Sequence, residues 1–176
     1  IASHIDDATI VVAEKLIDAD VNVKIPAGER LIFVMPIHSW GPALMMMRLI
    51  DKVKFDVDKA WAVFVCGDMC GNADKVFAKA LSKKGVTLEG AYSVQMPNNY
   101  ILMKGFGIDT EELVNAKLAE APARIMHIVE AILSGDKDAN LYVRGGMPSV
   151  KTGLVYKLFG KYAVKKVAFR ALDKCV

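Results

Sequence analysis

The chain has 176 residues, of which 53% are apolar, 24% charged and 8% aromatic, and this profile excludes disordered, collagen-like and disulfide-scaffold proteins. A domain of this length buries roughly 70% of the surface that its unfolded chain exposes, so it can build a core without metals or disulfides. The net charge of +3 is too small to indicate binding to nucleic acid. The composition therefore predicts a globular domain that has no nucleic acid among its partners.

The basic residues are concentrated at the carboxyl end of the chain, and the cysteine content favours a reducing compartment. Residues 151–176 contain seven Lys or Arg and one acid, Asp173. The three cysteines, Cys66, Cys70 and Cys175, are an odd number, which favours free thiols over a disulfide framework. We therefore expect a cytoplasmic protein.

The longest uncharged stretch, residues 31–47, is interrupted by two prolines, a glycine and a histidine. It is therefore a poor membrane span, and no signal peptide is visible at the start of the chain. We expect no integral membrane segment.

Strand-like and helix-like segments alternate along the chain. Four apolar runs are typical of parallel strands covered on both faces: residues 9–13, 30–37, 59–66 and 91–96. Three segments have helical periodicity: residues 42–53, 72–84 and 109–134. The alternation predicts an α/β fold with an open parallel sheet, in which ligands bind beyond the carboxyl ends of the strands.

The first strand-end loop, MPIHSWGP, presents His38, Ser39 and Trp40 at its tip. An indole at this place forms a flat aromatic wall for a planar ligand. The alternative is that Trp40 caps the sheet edge against the following helix.

The second loop, CGDMCGN, places two glycines at a strand-to-helix turn, where the backbone can approach a ligand closely. The spacing of Cys66 and Cys70, with no second pair of ligands nearby, argues against a zinc site. We interpret both as small buried or loop thiols, and a transient redox role is the alternative.

The third loop, MPNNY, follows a strand with a proline and two asparagines, and Tyr100 offers a ring and a hydroxyl. Taken alone, it is an ordinary turn. The sequence contains no Ser/His/Asp triad, carboxylate pair or HExxH motif, so no motif in it indicates hydrolytic chemistry.

Taken together, ERLIFVMPIHSWGPA, WAVFVCGDMCGNADKVFAKALSKKG and YSVQMPNNY resemble the flavodoxin-like domain of the flavodoxin/ferredoxin fusion proteins, or ferrodoxins. In that family the loops contain P-x-x-x-W-G-P, a Gly-rich turn ending in Gly-Asn, and M-P-x-N-Y, and this chain matches all three. The resemblance implies a doubly wound parallel sheet of strand order 2-1-3-4-5.

The resemblance also implies that the three loops bind FMN without a covalent bond. Trp40 would stack on the isoalloxazine ring, and backbone groups of the Gly-rich turn would hydrogen-bond the ring edge. The cofactor-binding residues expected on this basis are Pro36, His38, Ser39, Trp40, Gly41, Cys66, Gly67, Asp68, Gly71, Asn72, Pro97, Asn98, Asn99 and Tyr100.

The chain departs from the family pattern at both ends. The family's phosphate loop, S-x-T-G-N-[ST], is absent. Residues 1–5 align best with the end of the first helix and residues 8–16 with the second strand, so we expect the first strand to be missing and its neighbours' edges to be unpaired. At the other end, DKCV resembles the entry to a ferredoxin module. Cys175 is a metal ligand only if the protein continues, because one thiolate cannot hold a [4Fe–4S] cluster.

These features divide the chain into a flavodoxin-like domain, residues 1–147, and a basic connector, residues 148–176, that would lead to a ferredoxin module. The connector is expected to be a solvated amphipathic link, a docking surface for the ferredoxin module or an acidic redox partner, or a membrane-surface helix.

The expected function is electron transfer between FMN and iron–sulfur clusters of the same protein. The alternatives are an FMN-dependent oxidoreductase acting on a small molecule such as a quinone, and a non-catalytic interaction module with a flavodoxin fold.

Overall fold

The strands in the described part of the chain form two sheets. The computed structural model describes residues 1–17, 22–98, 107–137 and 139–163. Six strands lie in these ranges: β1 (Asn22–Lys24), β2 (Leu31–His38), β3 (Gly41–Pro42), β4 (Lys54–Asp56), β5 (Lys59–Cys66) and β6 (Thr87–Gln95). The main sheet has the order β3-β2-β5-β6, with β2, β5 and β6 parallel and β3 antiparallel to the end of β2. β1 and β4 pair in parallel in a second, two-stranded sheet.

Helices of different regularity accompany the sheets. Those of five or more residues with α geometry are α1 (Ala13–Ile17), α2 (Leu44–Lys52), α3 (Ala73–Ser82) and α4 (Glu111–Ser134). The last described residues form a continuous run of alternating α and π turns, here named the C-terminal helical segment: Pro148–Val150, Lys151–Val155, Tyr156–Leu158 and Phe159–Ala163. Short 3-10 turns lie at Ala2–His4 and Ala139–Leu141.

Helices cover both faces of the main sheet. On one face, Phe33 and Phe64 meet Phe77 of α3 with ring centroids 5.2 and 6.1 Å apart and nearly perpendicular planes, an arrangement that aromatic rings favour. On the other face, Tyr92 packs in a cluster with Ile128 of α4. Burial on both faces explains the nearly continuous apolar run of β5, whereas one face of β2 is partly open, since Val34 and Pro36 are exposed.

The predicted α/β class and mostly parallel sheet are confirmed. The strands predicted at residues 30–37 and 59–66 match β2 and β5 within one residue, and β6 begins four residues earlier than predicted. The order 2-1-3-4-5 stays a prediction, because the described strands of the main sheet have the order β3-β2-β5-β6.

The strand predicted at residues 9–13, and with it the alignment of residues 8–16 with a second strand, is wrong. Residues 8–12 lie outside any helix or strand, and Ala13 begins α1. The side chains of Ile10, Val11 and Val12 are 74%, 57% and 52% exposed. An apolar run becomes a strand only when a neighbouring strand pairs with it, and in the described ranges this run pairs with none.

All three predicted helices are shorter than predicted, and α3 covers Ala73–Ser82 of the predicted residues 72–84. α2 begins at Leu44 instead of residue 42, because Gly41 and Pro42 pair with the end of β2. α4 begins after Thr110, whose side-chain oxygen accepts a hydrogen bond from the Leu113 N–H at 3.4 Å. It then continues through Pro122, where the helix interior loses one hydrogen bond. Pro122 is exposed, so water can satisfy the carbonyl that loses its N–H partner there.

None of the described helices combines the length and apolar character that a bilayer crossing requires. The division between a domain at residues 1–147 and a connector at 148–176 stays a prediction. The described part of that connector is helical, and it contacts the end of β2 through the residues detailed below.

Candidate functional site

The three predicted loops meet at one edge of the main sheet. β2, β5 and β6 are parallel, so their carboxyl ends, at His38, Cys66 and Gln95, lie along the same edge. The residues that follow are here named the Trp40 turn (residues 39–40), the Gly-rich loop (residues 67–72) and the third loop (described residues 96–98). In open α/β sheets this edge is the usual place for a ligand.

The Trp40 turn has an unfavourable backbone conformation. It joins β2 to β3 through two residues, Ser39 at φ 47° and Trp40 at φ 61°, and the flanking pair is His38 and Gly41. Two-residue hairpin turns of this kind prefer Asn and Gly, and other residues in the left-handed region cost about 1–2 kcal/mol each. Such strain is concentrated at functional sites, so the turn is a candidate for one.

One buried hydroxyl joins the Trp40 turn to the Gly-rich loop. Thr152 of the C-terminal helical segment is 4% exposed, and its Oγ1 donates to the Trp40 carbonyl oxygen at 2.6 Å. Thr152 Oγ1 also accepts a hydrogen bond from the Asn72 N–H at 2.8 Å. The Lys151 ammonium also lies over the Trp40 ring, 5.4 Å from its centroid. The segment therefore holds the turn against the loop and covers one ring face.

Gly71 allows this close approach. Its φ is +60°, and a Cβ placed on it would lie 2.5 Å from Thr152 Oγ1 and 3.0 Å from Trp40 Cβ. Any side chain at this position would collide with the hydroxyl, with the turn, or with both. The second glycine of the predicted motif is therefore required by the contact between the two loops.

Gly67 brings the Gly-rich loop against the third loop. A Cβ on Gly67 would lie 3.1 Å from Asn98 Cβ. Among the described residues, no partner accepts a hydrogen bond from the main-chain N–H groups of Gly67, Asp68 and Met69. The tip of the loop therefore presents three adjacent donors that a ligand could use.

A buried lysine joins the same two loops on the α4 side. Lys117 is 7% exposed, and its Nζ lies 2.6 Å from Asp109 Oδ2 and 3.2 Å from Asp68 Oδ1. Asp109 Oδ2 also accepts a hydrogen bond from the Asn98 N–H at 2.9 Å. We name these residues the Lys117 cluster.

Electrostatics stabilise the charged forms of the Lys117 cluster. Burial alone would lower the pKa of Lys117, but its hydrogen bonds to Asp109 and Asp68 outweigh burial, and the pKa is raised. The hydrogen bonds that Asp109 accepts from Lys117 and the Asn98 N–H lower the pKa of its carboxyl. The Lys117 ammonium and the Asp109 carboxylate are therefore charged at neutral pH.

Residues 142–144 support the Gly-rich loop from behind. The N–H groups of Cys70 and Gly71 donate to the carbonyls of Val143 and Arg144 at 2.8 and 3.1 Å. The Arg144 guanidinium is 2.6 Å from Asp74 Oδ2 at the start of α3. These bonds fix the loop between β5 and α3.

Cys66 and Cys70 are both buried, free thiols, as interpreted from the sequence. The interaction between the two thiols lowers the pKa of Cys66 and, together with burial, raises that of Cys70. The Cys66 side chain is therefore turned toward the protein interior, and only its backbone can serve a ligand at the loop surface.

The other predicted site residues have different environments. Pro36 is exposed on β2, Gly41 is buried in β3, and Pro97 is half-buried. His38 is half-buried, its ring centroid lies 6.2 Å from that of Phe159, and burial lowers the pKa of its imidazole. Asn99, Tyr100 and Cys175 lie outside the described residues.

The sequence analysis missed the residues that hold the loops together. Lys117 is the clearest case, because it stands four residues before Ala121 and eleven before Ile128, on the buried side of α4. A lysine in an apolar helical stripe is a signal that it has a buried partner. Thr152 and Tyr156 were missed as well. The Tyr156 hydroxyl donates to the Pro42 carbonyl at 2.8 Å, but no sequence pattern indicates that either residue has a buried partner.

Two cavities lie away from the loops. One, of about 320 Å³, lies near the amino ends of β2 and β5 and is lined in part by Arg30, Lys59 and Trp61. The other, of about 440 Å³, lies between α2, α3 and Gly160. Neither includes a residue of the predicted site.

The described residues contain no candidate metal site. Within these ranges, no three His, Cys, Asp or Glu residues are grouped as they would be to hold a metal ion.

Comparisons with known proteins do not assign the site. A scan of the chain against protein-family models gave no matching family, and a search of curated proteins gave no match.

Proposed function

We propose that the protein is an FMN-binding electron-transfer domain, with a flavodoxin-like sheet of order 2-1-3-4-5, that exchanges electrons with iron–sulfur clusters of its own polypeptide or of a partner. One observation carries the proposal. The three loops expected to hold the flavin are in direct contact at the carboxyl edge of a parallel sheet, through Gly71 against the Trp40 turn and Gly67 against Asn98.

The described residues fit the ring of FMN. Trp40 supplies an aromatic wall, and Gly67, Asp68 and Met69 supply main-chain donors that have no partner among the described residues. A planar aromatic ring system with a polar edge requires this combination.

The described residues do not fit the phosphate of FMN. The N-terminus of α3 directly follows the Gly-rich loop, but its N–H groups already have partners. Asn72 N–H donates to Thr152 Oγ1, and Asp74 N–H donates to the Tyr142 hydroxyl. The Asp74 carboxylate would also repel an anion. The flavin would therefore be held by its ring, and any phosphate contact would come from elsewhere.

When bound, FMN would supply one- and two-electron transfer. The chain would supply Trp40 as a wall and the N–H groups of the Gly-rich loop as donors. Thr152 and Lys117 would hold the loops in place. Thr152 bonds to two of them, and Lys117 bonds to Asp68 of the Gly-rich loop and to Asp109, which accepts a hydrogen bond from the Asn98 N–H of the third loop. The [4Fe–4S] cluster and the electron acceptor are proposed on the family resemblance alone.

One observation favours the second candidate, a cofactor-free interaction module. Lys151 lies over the Trp40 ring at 5.4 Å, in the kind of cation–π contact that a stacked flavin would replace. A flavin must therefore stack on the opposite ring face or displace Lys151.

Flavin titration of the full chain, followed by fluorescence quenching, tests the proposal. Trp40→Ala is expected to weaken FMN binding by about 1–3 kcal/mol, which is roughly 5- to 150-fold. Trp61→Ala is the matched control, because Trp61 lines the cavity near the amino ends of β2 and β5. Equal loss in both variants, or no binding by the unmodified protein, would favour the interaction module.

Riboflavin sharpens the same experiment because it lacks the phosphate. We expect riboflavin and FMN to bind with similar dissociation constants, since the described residues fit only the ring. A strong preference for FMN would show that other residues of the protein hold the phosphate.

A further inference from the structure

The C-terminal helical segment exposes one long face to solvent. Between residues 149 and 162 its exposed positions recur every four residues as adjacent pairs, from Ser149 and Val150 to Lys161 and Tyr162, and the positions between the pairs are buried or half-buried. The alternating α and π turns of the segment keep positions four apart on the same side. The exposed pairs therefore form two neighbouring rows along the segment.

The two rows differ in chemistry. One row is apolar and consists of Val150, Leu154, Leu158 and Tyr162. These four residues are 46% to 62% exposed. The other row consists of Ser149, Gly153, Lys157 and Lys161. Residues 148–163 contain three lysines and no acid, so the face combines an apolar row with uncompensated positive charge beside it.

The opposite face of the segment is fixed to the protein. Thr152 Oγ1 donates to the Trp40 carbonyl at 2.6 Å. One turn further along, the Tyr156 hydroxyl donates to the Pro42 carbonyl at 2.8 Å. These two bonds set the rotation of the segment about its axis, so both rows are held toward solvent.

The surface of an anionic lipid bilayer fits both rows. Helices that lie in the plane of a membrane interface place apolar side chains among the acyl chains and lysines at the headgroups, where a lysine stem can follow the apolar surface. Tyr162 suits this boundary because its ring is apolar and its hydroxyl polar, and Lys161 Nζ lies 5.2 Å from its ring centroid. We propose that residues 149–162 bind an anionic bilayer, with the apolar row inserted and Lys157 and Lys161 at the headgroups.

The size and the charge of the face argue against a protein partner. Four half-exposed side chains fall well short of the about 800 Å² that each partner buries in a standard protein interface. A two-fold dimer through this face would bring the lysines of both copies together, and the segment contains no acid to pair with them. Shallow insertion into a bilayer requires only an apolar row with basic neighbours.

Sedimentation with sucrose-loaded vesicles tests the proposal on the full chain. One set of vesicles contains phosphatidylcholine alone, and the other contains equal amounts of phosphatidylcholine and phosphatidylserine. We expect the protein to sediment with the second set and to remain in solution with the first, and we expect binding to weaken as the NaCl concentration rises. Equal binding to both sets, or binding to neither, would overturn the proposal.

Two double variants address the two rows separately. Lys157→Gln with Lys161→Gln is expected to weaken binding to the anionic vesicles about 30-fold, since each lysine near such a surface contributes a factor of about five. Leu154→Ser with Leu158→Ser is expected to weaken it about tenfold or more. All four side chains are exposed, so neither double variant should unfold the protein.

Matched double variants elsewhere on the surface are the controls. Leu118→Ser with Leu133→Ser replaces two leucines of α4 that are exposed to a similar extent. Lys24→Gln with Lys54→Gln replaces two exposed lysines of the second sheet. We expect both controls to bind the anionic vesicles like the unmodified protein. Losses as large as those of the segment variants would overturn the proposal, because binding would then depend on the whole surface.

Two further measurements distinguish a bilayer from the other occupants. If Leu154→Ser with Leu158→Ser binds the anionic vesicles as tightly as the unmodified protein, the face is only an electrostatic site, as an acidic protein would use. If sedimentation equilibrium without vesicles shows a dimer that the same variant dissociates, the face belongs to a second copy of the chain. Either result would overturn the proposal. The inference does not depend on FMN, and a flavin-free protein should give the same result.

Discussion

Two clamps of different chemistry hold the three loops at the sheet edge. The Lys117 cluster joins the Gly-rich loop to the third loop, with a buried ammonium paired to Asp68 and Asp109 and a hydrogen bond from the Asn98 N–H to Asp109. Thr152 joins the Gly-rich loop to the Trp40 turn through a neutral hydroxyl, with bonds of 2.6 and 2.8 Å. The ionic clamp should respond to pH and salt, whereas the neutral clamp should respond to neither. The two sides of one site can therefore loosen under different conditions.

Lys117→Met should give the largest effect, because it removes the ammonium and leaves the buried Asp109 carboxylate unpaired. We expect the free energy of unfolding in urea to fall by about 3–5 kcal/mol. Lys137→Met is the matched control, since Lys137 pairs with Glu89 at the surface, and it should cost less than about 1 kcal/mol. Similar losses in the two variants would remove the distinction between a buried and a surface pair.

Thr152→Val should give the next largest effect. The substitution keeps the shape but leaves the Trp40 carbonyl and the Asn72 N–H without their partner. We expect a loss of about 2 kcal/mol in the free energy of unfolding. Thr152→Ser, which keeps the hydroxyl, should retain most of the stability. A loss for Thr152→Val that changes with salt concentration would contradict the neutral character of this clamp.

Acid should weaken the ionic clamp selectively. The folded pKa of Asp109 is lowered, so its contribution is complete above the unfolded value of about 3.9 and is lost as the pH falls through the folded pKa. Urea unfolding from about pH 6 down to about pH 3 should show a steeper loss of stability for the unmodified protein than for Asp109→Asn. Parallel curves for the two proteins would show that other carboxyls dominate the acid response.

Asp68→Asn should give the smallest effect. The Asp68 side chain is 59% exposed, and its ion pair with Lys117 is longer than that of Asp109. Solvent screening limits the expected loss to about 0.5 kcal/mol. A loss close to that of Lys117→Met would mean that Asp68, and not Asp109, is the main partner of the lysine.

The parts of the fold that were predictable are those decided by local pattern. β5 and α3 follow from a continuous apolar run and from helical periodicity closed by Gly85, because both signals lie within the segment itself. Residues 9–13 have an equally apolar pattern, but strand formation depends on a distant partner, which a local pattern does not contain. The same argument explains why Thr152 was missed, since its two bonds join residues 80 and 112 positions away.

The C-terminal helical segment was hard to interpret for a geometric reason. A π turn contains more residues than an α turn, so alternating the two brings positions four apart into line. Val150, Leu154, Leu158 and Tyr162 have this spacing, and all four are exposed. Because this spacing departs from the α-helical period, the four residues do not form the apolar stripe that is typical of an α-helix.

The burial of Lys117 has a consequence for the chemical reactivity of the protein. Amine reagents modify lysines in proportion to the access and the free-base fraction of each ammonium, and Lys117 is limited in both by its 7% exposure and its raised pKa. It should remain unlabelled while surface lysines such as Lys137 react. Labelling of Lys117 would therefore show that the Gly-rich loop and the third loop have separated.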